Sequence, residues 1–137
     1  MRLYALLFAA CSGRAPTPSP IVPIVADAAP DAPPDAPEID VALRDRGAQL
    51  FTDKGCIACH SLDGTFRIGP SLVGDWGTTV TLSDGTQVVV DEVYVRESIT
   101  EPLAKQRSGF VPVMPQFDGR ISPDELDALV MFIKSLR

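Results

Sequence analysis

The heptapeptide Gly55-Cys56-Ile57-Ala58-Cys59-His60-Ser61 sets two thiols three residues apart, with an imidazole directly after the second. Four chemistries use such groups: structural zinc, a dithiol redox switch, a structural disulfide and covalent haem attachment. Structural zinc takes four protein ligands from Cys and His. Residues 41–137 offer only Cys56, Cys59 and His60, so carboxylates would have to complete a zinc site. A thioredoxin-like dithiol belongs in a βαβ unit, whereas the order of elements here is helices with one hairpin. An exported chain permits a disulfide, but one across so short a spacing closes too small a loop to stabilise much. C-x-x-C-H is a signature of c-type haem attachment, and that reading is favoured. One helical turn puts Cys56 and Cys59 on the same side, where their sulfurs can form thioethers with the two haem vinyls, and His60 projects toward the iron.

Such a site calls for a second axial ligand. His60 is the single histidine, and the methionines are Met1, Met114 and Met131. Met1 leaves with the export segment described below, and Met131 falls inside an apolar C-terminal helix beside Val130 and Phe132, where a thioether fills core space. Met114 lies in Gly109-Phe110-Val111-Pro112-Val113-Met114-Pro115-Gln116-Phe117, a loop stiffened by two prolines and flanked by two phenylalanines. It is the expected ligand. Trp76, Tyr94, Arg67 and Arg96 are candidate contacts for haem propionates, through an indole or phenol donor or a guanidinium. Each also has an ordinary structural use, the aromatics as core and the arginines as surface charge.

The elements that must position these groups are legible in the capping residues. Asp40 is a good N-cap for a helix that runs to a stop at Gly55, with Val41 or Leu43, Gly47, Leu50 and Phe51 on its apolar side. Ser122-Pro123-Asp124-Glu125 is a capping box with proline at the first helical position, opening a terminal helix whose apolar face is Leu126, Leu129, Val130, Ile133 and Leu136. The small Gly47 suits a close crossing of these two helices. Between them, Val80 and Leu82 alternate, Asp84-Gly85 turns, and Val88 and Val90 resume the alternation, which predicts a β-hairpin near 78–90. A short helix capped by Asp91 follows and must end near Glu101, because Pro102 disfavours helix in the residue before it. The fold class is therefore all-α, about three to five helices with one small hairpin.

The N-terminal part reads differently. Residues 1–11, MRLYALLFAAC, carry Arg2 and then an apolar run too short to span a bilayer as a helix; the layout is that of an export signal. It resembles a bacterial lipoprotein signal, which implies cleavage before Cys11 and lipidation of that cysteine, since stable anchoring takes more than one acyl chain. Residues 12–40 hold eight of the thirteen prolines and five acidic residues against Arg14 alone. That composition buries too little apolar surface to offset its ordering entropy, so it is expected to be a disordered tether with a reach of about 90 Å at polyproline-like extension. The domain from 41 to 137 has ten basic and thirteen acidic residues, net −3. The absence of a basic stripe argues against nucleic acid as a partner.

The ordered set GCIACHSLDGT, GPSL, DGT, DEVYVRESI, GFVPVMPQFDGRIS and ELDALVMFIKSL resembles the class I cytochrome c family over roughly residues 41–137. It is most similar to the cytochrome c domain fused to subunit II of some bacterial haem–copper oxidases and to related lipoprotein cytochromes. The copper-site residues and paired membrane segments of subunit II do not precede the domain, so the chain is not expected to be subunit II itself. The resemblance implies one covalent haem c attached at Cys56 and Cys59, axial ligation by His60 and Met114, and a hydrogen bond from the His60 ring to the Pro70 carbonyl, which fixes the ring's tautomer. It implies a carrier of single electrons, not an enzyme, because both axial positions of the iron are taken. The expected protein is a lipid-tethered electron shuttle of a respiratory chain on the periplasmic side. Its donor would be a quinol-oxidising complex or a dehydrogenase and its acceptor a terminal oxidase. The alternative is a haem c relay subunit of a larger membrane oxidoreductase complex.

Overall fold

The computed structural model describes residues 39–137. The expected export signal, Cys11 and the expected tether as far as residue 38 lie outside the described residues.

Helix α1 spans Val41–Asp53, and the Asp40 carboxylate starts it by accepting the Leu43 N–H at 2.9 Å. It ends at Lys54, after which Gly55 takes a positive φ of 81°. Its apolar side is narrower than the sequence suggests. Val41 is 56% exposed, while Gly47 and Phe51 are buried. Helix α3, Pro123–Ser135, begins with the complete capping box: the Glu125 N–H donates to Ser122 Oγ at 3.3 Å, and the Ser122 N–H to Glu125 Oε2 at 2.9 Å. A Cβ on Gly47 would stand 2.0 Å from the Ala128 carbonyl oxygen. The two helices therefore cross backbone against backbone, and one turn on the Phe51 and Phe132 rings meet at 5.5 Å with a 56° tilt.

Strands β1, Thr79–Thr81, and β2, Gln87–Val89, pair antiparallel with Val80 opposite Val88. Asp84 closes the turn by accepting the Thr86 N–H at 2.8 Å, and Gly85 supplies the positive φ that this turn needs. Val80, Leu82 and Val90 are buried. Helix α2, Glu92–Thr100, is capped by Asp91, which accepts the Tyr94 N–H at 2.8 Å, and it stops at Glu101 before Pro102. Its i, i+4 pair Val95 and Ile99 is buried with Leu129, Ile133 and Phe117 in one core. Arg96 ties its outer face to α3 through Asp127 at 2.5 Å.

The hairpin does more than fill space. Ser83 N–H donates to Gln106 O at 2.8 Å and Ser108 N–H to Thr81 O at 2.9 Å. Residues 106–108 thus lie along β1, which fixes the chain where the proline-framed loop begins. Phe117 N–H to Ile99 O at 3.3 Å fixes its end against α2. Three α-helices and a small two-stranded sheet among the described residues match the fold class expected. Among the described residues, no helix is long and apolar enough to cross a membrane.

Candidate metal centre

Cys56–Ala58 form a single 3-10 turn after the left-handed Gly55, closed by the Cys59 N–H to Cys56 O at 3.1 Å. Residues i and i+3 eclipse in that geometry, so Cys56 and Cys59 present their sulfurs in one direction. Both thiols are free and half-buried. Burial pushes the Cys56 thiol above its ordinary value, and the neighbouring Cys59 adds to the rise.

The chain after His60 folds back onto the motif. Ser61 Oγ donates to Thr65 O at 2.6 Å, and Asp63 accepts the Thr65 N–H at 3.0 Å. The Gly69 N–H then reaches Cys59 O at 2.9 Å, and the Leu72 N–H reaches Ser61 O at 3.0 Å. This return brings the Pro70 carbonyl 2.8 Å from His60 Nδ1. A carbonyl only accepts, so the proton sits on Nδ1 and Nε2 keeps its lone pair. Burial lowers the His60 pKa, partly opposed by the Pro70 hydrogen bond and the Asp75 charge. A neutral ring with one nitrogen committed is the form that ligates metal. The approach is close: a Cβ on Gly69 would stand 2.7 Å from His60 Cε1, so a larger residue there would displace the ring.

Cys56, Cys59 and His60 line one deep cleft, and Met114 lines the same cleft from the proline-framed loop. Val95, Ile99, Leu129 and Ile133 make its wall apolar. Met131 does not line it. Ser98 Oγ, in the lining, is buried without a hydrogen-bond partner among the described residues. Two thiols facing one way, a nitrogen and a thioether donor, an apolar wall and one unmet buried hydroxyl together fit a flat apolar cofactor carrying a metal. They do not fit a protein-only metal site: among the described residues, no three His, Cys, Asp or Glu side chains gather to hold an ion.

The softer candidates divide. Tyr94 lines the cleft. Trp76 does not; it packs against the core with Lys134 Nζ 5.9 Å from its ring centroid. Arg67 is also away from the lining and donates to Ile57 O at 2.8 Å, and Arg96 is engaged by Glu92 and Asp127. The guanidinium that does line the cleft is Arg107, paired with Asp75 at 2.5 Å. Sequence reasoning misses Arg107 and Ser98. Arg107 arrives through a β-bridge to Leu82, 25 residues earlier, and no local pattern announces a pairing of that kind. Ser98 follows Val95 by one helical turn, so its place beside the buried stripe is a signal that helical periodicity carries.

The sequence model for cytochrome c matches residues 44–137. Among solved structures, the chain is similar to an engineered cytochrome c from Rhodothermus marinus at 24% identity and a TM-score of 0.45, covering 74% of this chain and 83% of that one. No curated protein matches the chain.

Proposed function

The chain belongs to the cytochrome c family, a family of electron carriers holding one covalent haem c, and on that premise we propose that it is a His60/Met114-ligated monohaem shuttle tethered to a membrane. Haem c supplies a one-electron couple when bound. Cys56 and Cys59 would hold it through thioethers, and His60 Nε2 and Met114 Sδ would ligate its iron. The observation that carries this reading is that Met114, and not Met131, shares the cleft with Cys56, Cys59 and His60. Ligation of the metal by both His60 and Met114 would keep substrates and gases from it, and thioether ligation would raise the potential relative to a second nitrogen.

The protein's other contributions are electrostatic. The apolar wall of Val95, Ile99, Leu129 and Ile133 excludes water and disfavours the more highly charged oxidised state. Tyr94 is the retained candidate for a propionate contact from the sequence, joined by Arg107, since both line the cleft. The tether and a lipid on Cys11 would hold the domain on the periplasmic face, raising its effective concentration near membrane partners without adding contact energy. A quinol-oxidising complex or dehydrogenase would reduce it, and a terminal oxidase would oxidise it.

Expression with c-type maturation machinery, followed by intact mass and an absorbance spectrum, tests this reading. The expected result is one haem on Cys56 and Cys59, a lipidated N-terminus at Cys11 and a low-spin spectrum. Haem released by acid extraction, or a mature mass without acyl chains, contradicts the corresponding part.

A further inference from the structure

Phe66 is 83% exposed, the highest value among the exposed large apolar side chains of the described residues. Its ring is nevertheless placed. It stacks on Phe110 with centroids 5.7 Å apart and planes 21° from parallel. Phe110 also carries the Arg107 guanidinium 5.8 Å from its ring centroid, and Arg107 is held by Asp75. The stack therefore joins two segments 44 positions apart: the return loop after His60, and the loop that bears Met114.

The second loop needs such a tie. Among the described residues, the backbone hydrogen bonds of 109–116 are local: Phe110 N–H to Arg107 O at 3.4 Å and Val113 N–H to Val111 O at 2.9 Å. Not until Phe117 does the backbone reach another element. Pro112 and Pro115 stiffen the span between, so fixing Phe110 and Phe117 fixes Met114. Phe117 is fixed by burial at 7% exposure and by Ile99. Phe110 lines the cleft and is only half-buried.

We propose that Phe66 is a positioning residue for Met114, latching the loop across the mouth of the cleft by stacking on Phe110. The inference rests on Met114 being the second axial ligand. Each closure of the loop over the metal is favoured by the stack, and an aromatic pair of this kind shifts such an equilibrium by about two- to tenfold.

The test follows imidazole entry into the ferric, haem-loaded full chain by stopped flow. In the wild type the rate should saturate with imidazole, because loop opening precedes binding. Phe66→Ala should raise apparent imidazole affinity about two- to tenfold, Phe66→Tyr should restore wild-type behaviour, and Phe66→Ala should add nothing in a Phe110→Ala background. Unchanged affinity in Phe66→Ala, or additive effects of the two alanines, overturns the latch while leaving Met114 ligation intact. A ferric wild type that is high-spin before any imidazole is added overturns Met114 ligation itself.

Discussion

His60 Nδ1 lies 2.8 Å from the Pro70 carbonyl oxygen, and Gly69 passes so near that even a methyl group there would strike the ring. The return loop thus fixes the imidazole in two ways, by a directed hydrogen bond and by steric contact. Donation from Nδ1 increases the basicity of the other nitrogen, so this contact links the loop's path to the electron affinity of any metal on Nε2.

Gly69→Ala should therefore displace the ring, lengthen the bond to Pro70 and raise the reduction potential, because a less basic imidazole stabilises the oxidised metal less. The loss is bounded by one hydrogen bond, about 0.5–1.5 kcal/mol. Spectroelectrochemical titration checks it, and a potential equal to or below wild type would contradict the link.

Gly47→Ala places a Cβ 2.0 Å from Ala128 O and 2.7 Å from Phe132 Cβ, forcing α1 and α3 apart. Overpacking of this kind costs about 1–3 kcal/mol, which the better helix propensity of alanine, worth up to about 1 kcal/mol, only partly offsets. Denaturant unfolding of the haem-loaded protein should show a net loss.

Met114→Ala and Met131→Leu should part company. The first removes the thioether donor from the cleft, so the potential falls and the metal accepts external ligands. The second exchanges one half-buried side chain for another of similar volume away from the lining, with a cost under about 1.5 kcal/mol and an unchanged spectrum. An altered spectrum in Met131→Leu alone would reverse the assignment.

Glu125 joins two helices, accepting the Ser122 N–H and pairing with Lys54 at 3.0 Å. The Ser122 bond and Lys54 hold its carboxyl below the ordinary 4.5. A carboxyl depressed in the folded state contributes stability above its unfolded pKa, and that contribution is lost as pH falls through the folded value. Glu125→Gln should therefore be less stable than wild type near neutral pH, with the gap closing as pH falls through the lowered carboxyl value. Melting curves across pH 3–7 check the sign; a gap that widens in acid would contradict it.

The terminal helices, the hairpin and the helix after it were legible because each is announced locally, by Asp40, Ser122-Pro123, Asp84-Gly85 and Asp91-Pro102. His60 and Met114 could be singled out because so few residues can supply the proposed ligands, one histidine and one methionine in a proline-framed loop, and both line the cleft. Arg107 and the Phe66–Phe110 stack were not. Both depend on segments brought together by the bridge from Leu82 to Arg107 and by the return loop, and neither pairing leaves a periodic trace in the chain. Trp76 and Arg67 carry donors that suit a propionate, but neither lines the cleft: Trp76 packs against the core and Arg67 donates to the Ile57 carbonyl.

The central claim is that Met114 closes a site built by Cys56, Cys59 and His60, and carbon monoxide tests it most directly. The ferrous, haem-loaded wild type should give the same absorbance spectrum before and after carbon monoxide at neutral pH, while Met114→Ala should change at once. Prompt carbon monoxide binding by the wild type would contradict the account.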